Sequence, residues 1–108
     1  MGGTINKQKL AQLRCAIEAL RARKHNIRPN DLVSVAKALG REKEKRGKHP
    51  TYVSRIIPTR NPISIPGHPT IKTGTALGIL DELEADVEAL SALIDDQERK
   101  NDSKRLPG

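Results

Sequence analysis

The chain has 108 residues, of which only 35% are hydrophobic, and a net charge of +7, so we expect a single domain with a small core. Tyr52 is the one aromatic residue, and the core must therefore consist mainly of aliphatic side chains. A lone Cys15 excludes an intrachain disulfide, and since no stretch suits a signal peptide or a membrane span, we expect a cytoplasmic protein without membrane association.

The first predicted element is an amphipathic helix over about residues 5 to 24. Its apolar residues recur at spacings of 3, 4 and 3, which is the stripe of a helix that buries one face. These residues are Leu10, Leu13, Ile17 and Leu20. We assign residues 1–28 to this helix and its linker.

A second, shorter helix is predicted from "RPNDLVSVAKALG". Pro29 and Asn30 are typical of a helix start, and Gly40 is typical of a stop in the left-handed conformation, so the helix should end near Leu39. One face carries the apolar residues Leu32, Val35, Ala36 and Leu39.

The middle of the chain changes to a β pattern. "TYVSRIIPTRNPISIP" holds β-branched residues on both sides of a turn bounded by Pro58 and Pro62, which predicts two short antiparallel strands. In the second strand, Ile63 and Ile65 share a face. The preceding "REKEKR" is either an exposed edge strand, whose charges discourage pairing with other chains, or an extension of the second helix.

A long helix is predicted after Thr73, a plausible N-cap. Its apolar residues follow a heptad pattern with spacings of 4, 3, 4, 3 and 4, which we call the seam: Ala76, Leu80, Leu83, Val87, Leu90 and Ile94. The seam packs either against the first helix or against a second copy of the chain, as a homo-oligomer. In the first case Lys9, Arg14 and Arg21 would meet acidic residues of the long helix. Those acidic residues are Asp86, Glu88 and Asp95.

Together these elements predict an α+β fold. A helix, three strands and the long helix form one small domain over residues 29–95, with both helices on one face of an antiparallel sheet, and the first helix is an addition to it. Residues 96–108 have no apolar period, and we expect a disordered tail there.

The charge is distributed unevenly along the chain. Residues 1–72 hold 16 Lys and Arg against 4 Asp and Glu, a balance of +12, whereas residues 73–108 hold 4 against 9, a balance of −5. A basic surface of this kind attracts RNA or DNA in a salt-dependent manner. The alternative is a solvated basic surface that only keeps the protein soluble.

Residues 30–84 contain a series of short motifs: Leu39-Gly40 at the end of a predicted helix, Gly47-Lys48-His49-Pro50 followed by Tyr52, Pro66-Gly67-His68, and Lys72-Thr73-Gly74-Thr75 before the long helix. In this order they resemble the HicA family of toxin mRNA interferases from bacterial toxin–antitoxin pairs. The family signature has a helix ending in Leu-Gly, a charged strand, a Gly-Ser-His-His-like segment followed by an aromatic residue, a Pro-x-His turn and a Lys-x-Gly-Thr element before a helix. Lys48 and Pro50 stand where the family usually has Ser and a second His.

The resemblance implies a fold similar to a double-stranded RNA-binding domain (dsRBD), endoribonuclease activity on mRNA, and inhibition by a cognate HicB-like antitoxin. It also implies that the active-site role falls on His49. Arg46, Lys48 and Arg55 would bind phosphate, and Tyr52 would stack on a base.

The chemistry of His49 is consistent with this role. Metal-independent RNA cleavage needs a base for the 2′-OH proton, an acid for the leaving 5′ oxygen, and positive charge near the phosphate. An imidazole can serve as either group near neutral pH. Alternatively, His49 only begins a strand after a glycine turn.

The other histidines have weaker signals. His68 is either a second proton-transfer group or a residue that hydrogen-bonds its turn, and His25 is expected to be an exposed loop residue. Neither the histidine and cysteine spacing nor "KTGTALG" predicts a zinc or nucleotide site, and we expect no cofactor. Two non-enzymatic functions stay open: an RNA-binding protein without activity, and an interaction protein that oligomerises through the seam.

Overall fold

The structure, a computed structural model, describes residues 5–46, 49–67 and 71–105, with side chains except at 45, 46, 49 and 100–105. It confirms the α+β fold: two N-terminal helices, a three-stranded antiparallel sheet and a long C-terminal helix. In chain order the elements are α1 (Lys7–Ala22), α2 (Pro29–Ala38), β1 (Arg41–Arg46), β2 (His49–Ser54), β3 (Ile63–Ser64) and α3 (Thr73–Arg105).

Helix α1 packs antiparallel along α3, so the first of the two predicted partners for the seam is present in the structure. The apolar stripe of α1 is buried, and so is the seam from Ala76 to Leu90. Ion pairs flank this contact. Arg14 meets Glu88 at 2.5 Å, as predicted, and Arg21 meets Glu84 at 2.6 Å. The other predicted acidic partners have different contacts in the structure. Asp95 pairs with Lys7, and Asp86 binds Arg41 of β1 rather than a residue of α1.

Helix α2 begins and ends as its sequence predicts. Pro29 is its first residue, and the backbone N–H of Arg28 donates to the Asp31 carboxylate at 3.0 Å. The chain leaves the helix through Gly40, whose φ of +89° is a conformation that residues with a Cβ rarely adopt. A Cβ at Gly40 would also lie 2.4 Å from Cδ1 of Ile56. Gly40 therefore fixes the turn that directs the chain into β1.

The three strands lie in the order β1-β2-β3, with β2 in the centre. Residues 41–46 form an edge strand, so the strand prediction for "REKEKR" is confirmed and the helical extension is wrong. Tyr52 and Ser54 of β2 are buried, and beyond β2 the chain crosses the predicted turn to Ile63 and Ile65, which are both buried. One face of the sheet thus joins the core formed with the helices.

Helix α3 is longer than predicted. The helix continues to Arg105, whereas the lack of an apolar period predicted a disordered tail from residue 96. Extending an existing helix adds one hydrogen bond per residue, and Gln, Glu, Arg and Lys are good helix formers, so no apolar stripe is needed. No helix in the described part of the chain is long and apolar enough to cross a membrane.

Candidate nucleic-acid interface

The hairpin of β1 and β2 brings two of the predicted site residues together. His49 is the first residue of the central strand, and its Cα is the register partner of Arg46, the last residue of β1. The fold thus places a histidine and an arginine opposite each other, at the paired ends of the two strands. Lys48 and His68 lie outside the described residues.

Arg55, a predicted phosphate ligand, already has carboxylate partners. Its Nε lies 3.1 Å from Oε1 of Glu42, and its Nη2 lies 3.7 Å from Oε2 of Glu44. Both glutamates come from β1, so these contacts join the two strands on the surface. An RNA phosphate would have to compete with two carboxylates for this guanidinium.

Tyr52 is in the core rather than on a binding surface. The residue is only 5% exposed and packs among the apolar residues between the sheet and the helices. A base can stack only on a ring face that solvent reaches, so the stacking role predicted for Tyr52 does not fit this structure. The reason is the composition of the chain, since the one large aromatic side chain contributes most when it is buried.

His25 is exposed, as predicted, and lies in the connection between α1 and α2. Its Nδ1 is 3.2 Å from the hydroxyl of Thr73, the first residue of α3. This contact links the loop to the start of the long helix and gives His25 a structural role there.

The structure contains a buried ionic cluster of Arg41, Asp86 and Arg60 that was not predicted from the sequence. Arg41 is 1% exposed and Asp86 is 3% exposed. Arg41 binds the Asp86 carboxylate with two groups, Nε at 2.6 Å and Nη2 at 2.9 Å. Its Nη1 donates to the carbonyl oxygens of Tyr52 at 2.8 Å and Asn61 at 3.1 Å. One guanidinium therefore ties together β1, β2, the turn before β3 and helix α3.

Arg60 completes the cluster from the turn. Its Nε donates to Oδ1 of Asp86 at 2.8 Å, and its Nη2 lies 3.1 Å from the side chain and from the carbonyl oxygen of Glu82. The hydrogen bond to Asp86 raises the pKa of Arg60 above its usual value, so the guanidinium stays charged. The two arginines hold the Asp86 carboxylate in a fixed position, which suits a structural function.

A groove lies between the N-terminal end of α2 and the sheet. Its cavity volume is about 360 Å³, and it includes two exposed cations, Arg28 and Lys43. Within the described residues, neither of these side chains has a carboxylate partner within 4 Å. The complete lining is Arg28, Pro29, Asn30, Val33, Lys43, Pro50, Tyr52, Ile65, Pro66 and Gly67.

Comparison with known proteins gives no match: no family model, curated protein or solved structure matches the chain. Among the described residues, no three His, Cys, Asp or Glu side chains are grouped as a metal site requires. Any functional assignment therefore depends on the residues of this chain and on the motifs described above.

Proposed function

We propose that this protein is a HicA-like toxin: an endoribonuclease that cleaves mRNA without a metal ion and is inhibited by a cognate HicB-like antitoxin. The observation that carries the proposal is the position of His49. It begins the central strand of the sheet and lies in register with Arg46, and Lys48 precedes it in the sequence.

The order of the elements supports the dsRBD-like fold that the resemblance implies. Helix α2, the three strands and α3 follow one another as helix, strand, strand, strand, helix, and the sheet is antiparallel in the order β1-β2-β3. Described residues of the sequence motifs lie at the ends of these elements. Leu39-Gly40 directly follows α2, His49 begins β2, and Thr73 begins α3.

The proposed chemistry assigns the proton transfer to His49 and the charge stabilisation to its basic neighbours. The imidazole takes the proton of the 2′-OH or gives one to the leaving 5′ oxygen. Positive charge from Arg46 and Lys48 favours the phosphorane-like transition state. A partner that covers this end of the hairpin, such as an antitoxin, would block both functions at once.

RNA binding without cleavage is the second candidate function. Two of the residues predicted to bind RNA have other contacts, since Arg55 pairs with Glu42 and Tyr52 is buried. Lys48 and Pro50 also depart from the family signature. The third candidate function is oligomerisation through the seam. The structure does not favour it, because the seam from Ala76 to Leu90 is already buried within one chain.

The decisive experiment measures the cleavage of a labelled single-stranded RNA in EDTA by the parent protein, His49→Ala and His25→Ala. General acid–base groups contribute about 100-fold or more to a rate, so His49→Ala should lose at least that much activity. The variant should stay folded by circular dichroism. His25→Ala is the matched control, because it removes an exposed histidine elsewhere and should keep the parent rate.

Three outcomes are informative. Loss of cleavage in His49→Ala alone supports the nuclease with His49 in its active site. Equal cleavage by all three proteins means that the proton-transfer assignment is wrong. Intact RNA with retained binding in all three selects the second candidate function.

A further inference from the structure

We propose that the groove at the start of α2 is a subsite for one nucleotide of single-stranded RNA, in which Arg28 and Lys43 bind the phosphate. This inference rests on the proposed function, because it takes RNA as the ligand. It adds a binding site outside the hairpin end, and neither Arg28 nor Lys43 belongs to the sequence motifs.

The groove has the size and the lining of a small-ligand site. Its volume of about 360 Å³ lies within the range of about 300 to 1,000 Å³ that is usual for such sites. Val33, Pro50 and Pro66, which are partly exposed, give it an apolar wall, whereas Asn30 offers an amide that can both donate and accept hydrogen bonds. A nucleobase has two apolar faces and a polar edge, and this lining is complementary to it.

The charge of the groove favours a phosphate. Arg28 and Lys43 contribute two positive charges, and no Asp or Glu is among the lining residues. Arg55 and Arg60, on the same sheet and its turn, are within 4 Å of carboxylates. Arg28 and Lys43 can therefore bind an anion without first breaking an ion pair, and an anionic ligand meets no like charge in the groove.

The position of the groove connects it to the proposed active site. Pro50 lines the groove and directly follows His49, and Lys43 is the register partner of Tyr52 two residues further along β2. The groove therefore borders the end of β2 at which His49 lies. Only a single strand can place a base there, because the bases of a duplex are stacked and paired.

The test uses a short labelled single-stranded RNA of mixed sequence with 2′-O-methyl groups, which cannot be cleaved through the 2′-OH. Fluorescence anisotropy gives the Kd of the parent protein and of the double variant Arg28→Ala/Lys43→Ala. We expect Kd to rise by about tenfold and the slope of log K against log salt to become shallower by about 0.7, which corresponds to one phosphate that is no longer neutralised.

Two further variants distinguish RNA binding in the groove from a general effect of positive charge on RNA affinity. The double variant Lys9→Ala/Lys37→Ala removes the same charge at positions outside the groove, and its Kd should change less than twofold. Asn30→Trp keeps the charge but fills the groove from its exposed rim, and it should weaken binding as much as the loss of both cations. Circular dichroism checks that each variant is folded.

The outcomes test the groove proposal and the proposed nuclease function separately. If the groove variants bind like the parent while the parent cleaves unmodified RNA, the groove proposal is overturned and the proposed function stands. If the groove variants bind weakly while the parent cleaves no RNA, the subsite stands and the nuclease falls. If the parent binds no RNA, both proposals are overturned.

Discussion

Basic residues have different partners in two regions of the molecule. Where α3 packs on α1 and on the sheet, Arg14, Arg41 and Arg60 lie within hydrogen-bond distance of carboxylates. At the start of α2, Arg28 and Lys43 line a groove without such partners in the described part of the chain. Net charge alone would treat both regions as RNA-binding surface. The comparison shows that pairing within the fold, rather than the number of Lys and Arg, determines which cations are available to a ligand.

The largest expected effect is that of Asp86→Ala. This change leaves the guanidinium of Arg41, which is 1% exposed, without its carboxylate. Removing one partner of a buried ion pair costs about 3 to 5 kcal/mol, a large part of the stability of a small domain. Urea denaturation followed by circular dichroism measures this loss.

The double variant Arg41→Met/Asp86→Leu is the control for that experiment. It removes both buried charges, and apolar replacement of a whole buried pair is often close to neutral. The double variant should therefore be more stable than Asp86→Ala. If Asp86→Ala lowered the free energy of unfolding by less than about 1 kcal/mol, the buried ionic cluster would not be an important source of stability.

Gly40→Ala is expected to have an intermediate effect, because Gly40 connects α2 to the strand that begins with buried Arg41. The left-handed backbone costs a residue with a Cβ about 1 to 2 kcal/mol, and contact with Ile56 adds to this. Gly78→Ala is the matched control. A Cβ at Gly78 meets nothing within 4 Å, so this change in the second turn of α3 should stabilise the protein by about 0.5 to 1 kcal/mol. Thermal unfolding gives the Tm of both variants. A higher Tm for Gly40→Ala than for Gly78→Ala would contradict the prediction.

Arg14→Ala has the smallest expected effect on stability. Its pair with Glu88 is largely exposed, and such pairs contribute about 0 to 1 kcal/mol. The small loss should shrink further in high salt, because salt screens exposed charges. A loss above about 2 kcal/mol in urea denaturation would mean that the α1–α3 contact depends on this pair more than on its apolar stripe.

The sequence predicts the helices, the edge strand and the turn well because their signals are local. Heptad spacing marks the seam, Gly40 marks a helix end, and prolines mark the turn before β3. The buried cluster has a weaker signal, which is nevertheless present. Ile79, Leu83 and Leu90 are buried at helical spacing, and Asp86 occupies the position between the last two. An acidic residue within an apolar stripe requires a buried cation.

The sequence of a single helix or strand does not identify that cation or the residues that line the groove. In "REKEKR" no apolar residue marks the buried face, so nothing in the strand itself distinguishes Arg41 from Lys43. Only the tertiary fold, which brings Asp86 of α3 to Arg41, identifies Arg41 as the buried cation. Likewise, only the packing of α2 beside β1 brings Arg28 toward Lys43. The burial of Tyr52 also depends on tertiary packing, and its position three residues after His49 does not predict it.

The length of α3 also affects how the protein behaves in solution. At about 1.5 Å per residue, its 33 residues measure about 50 Å, and the longest dimension of the molecule is 58 Å. The radius of gyration is 15.7 Å, compared with about 13 Å for a compact domain of this length. A monomer of this shape diffuses slowly and elutes early from a size-exclusion column, at the position of a heavier globular protein. Its mass in solution should therefore be determined by light scattering, because elution volume alone would overstate it.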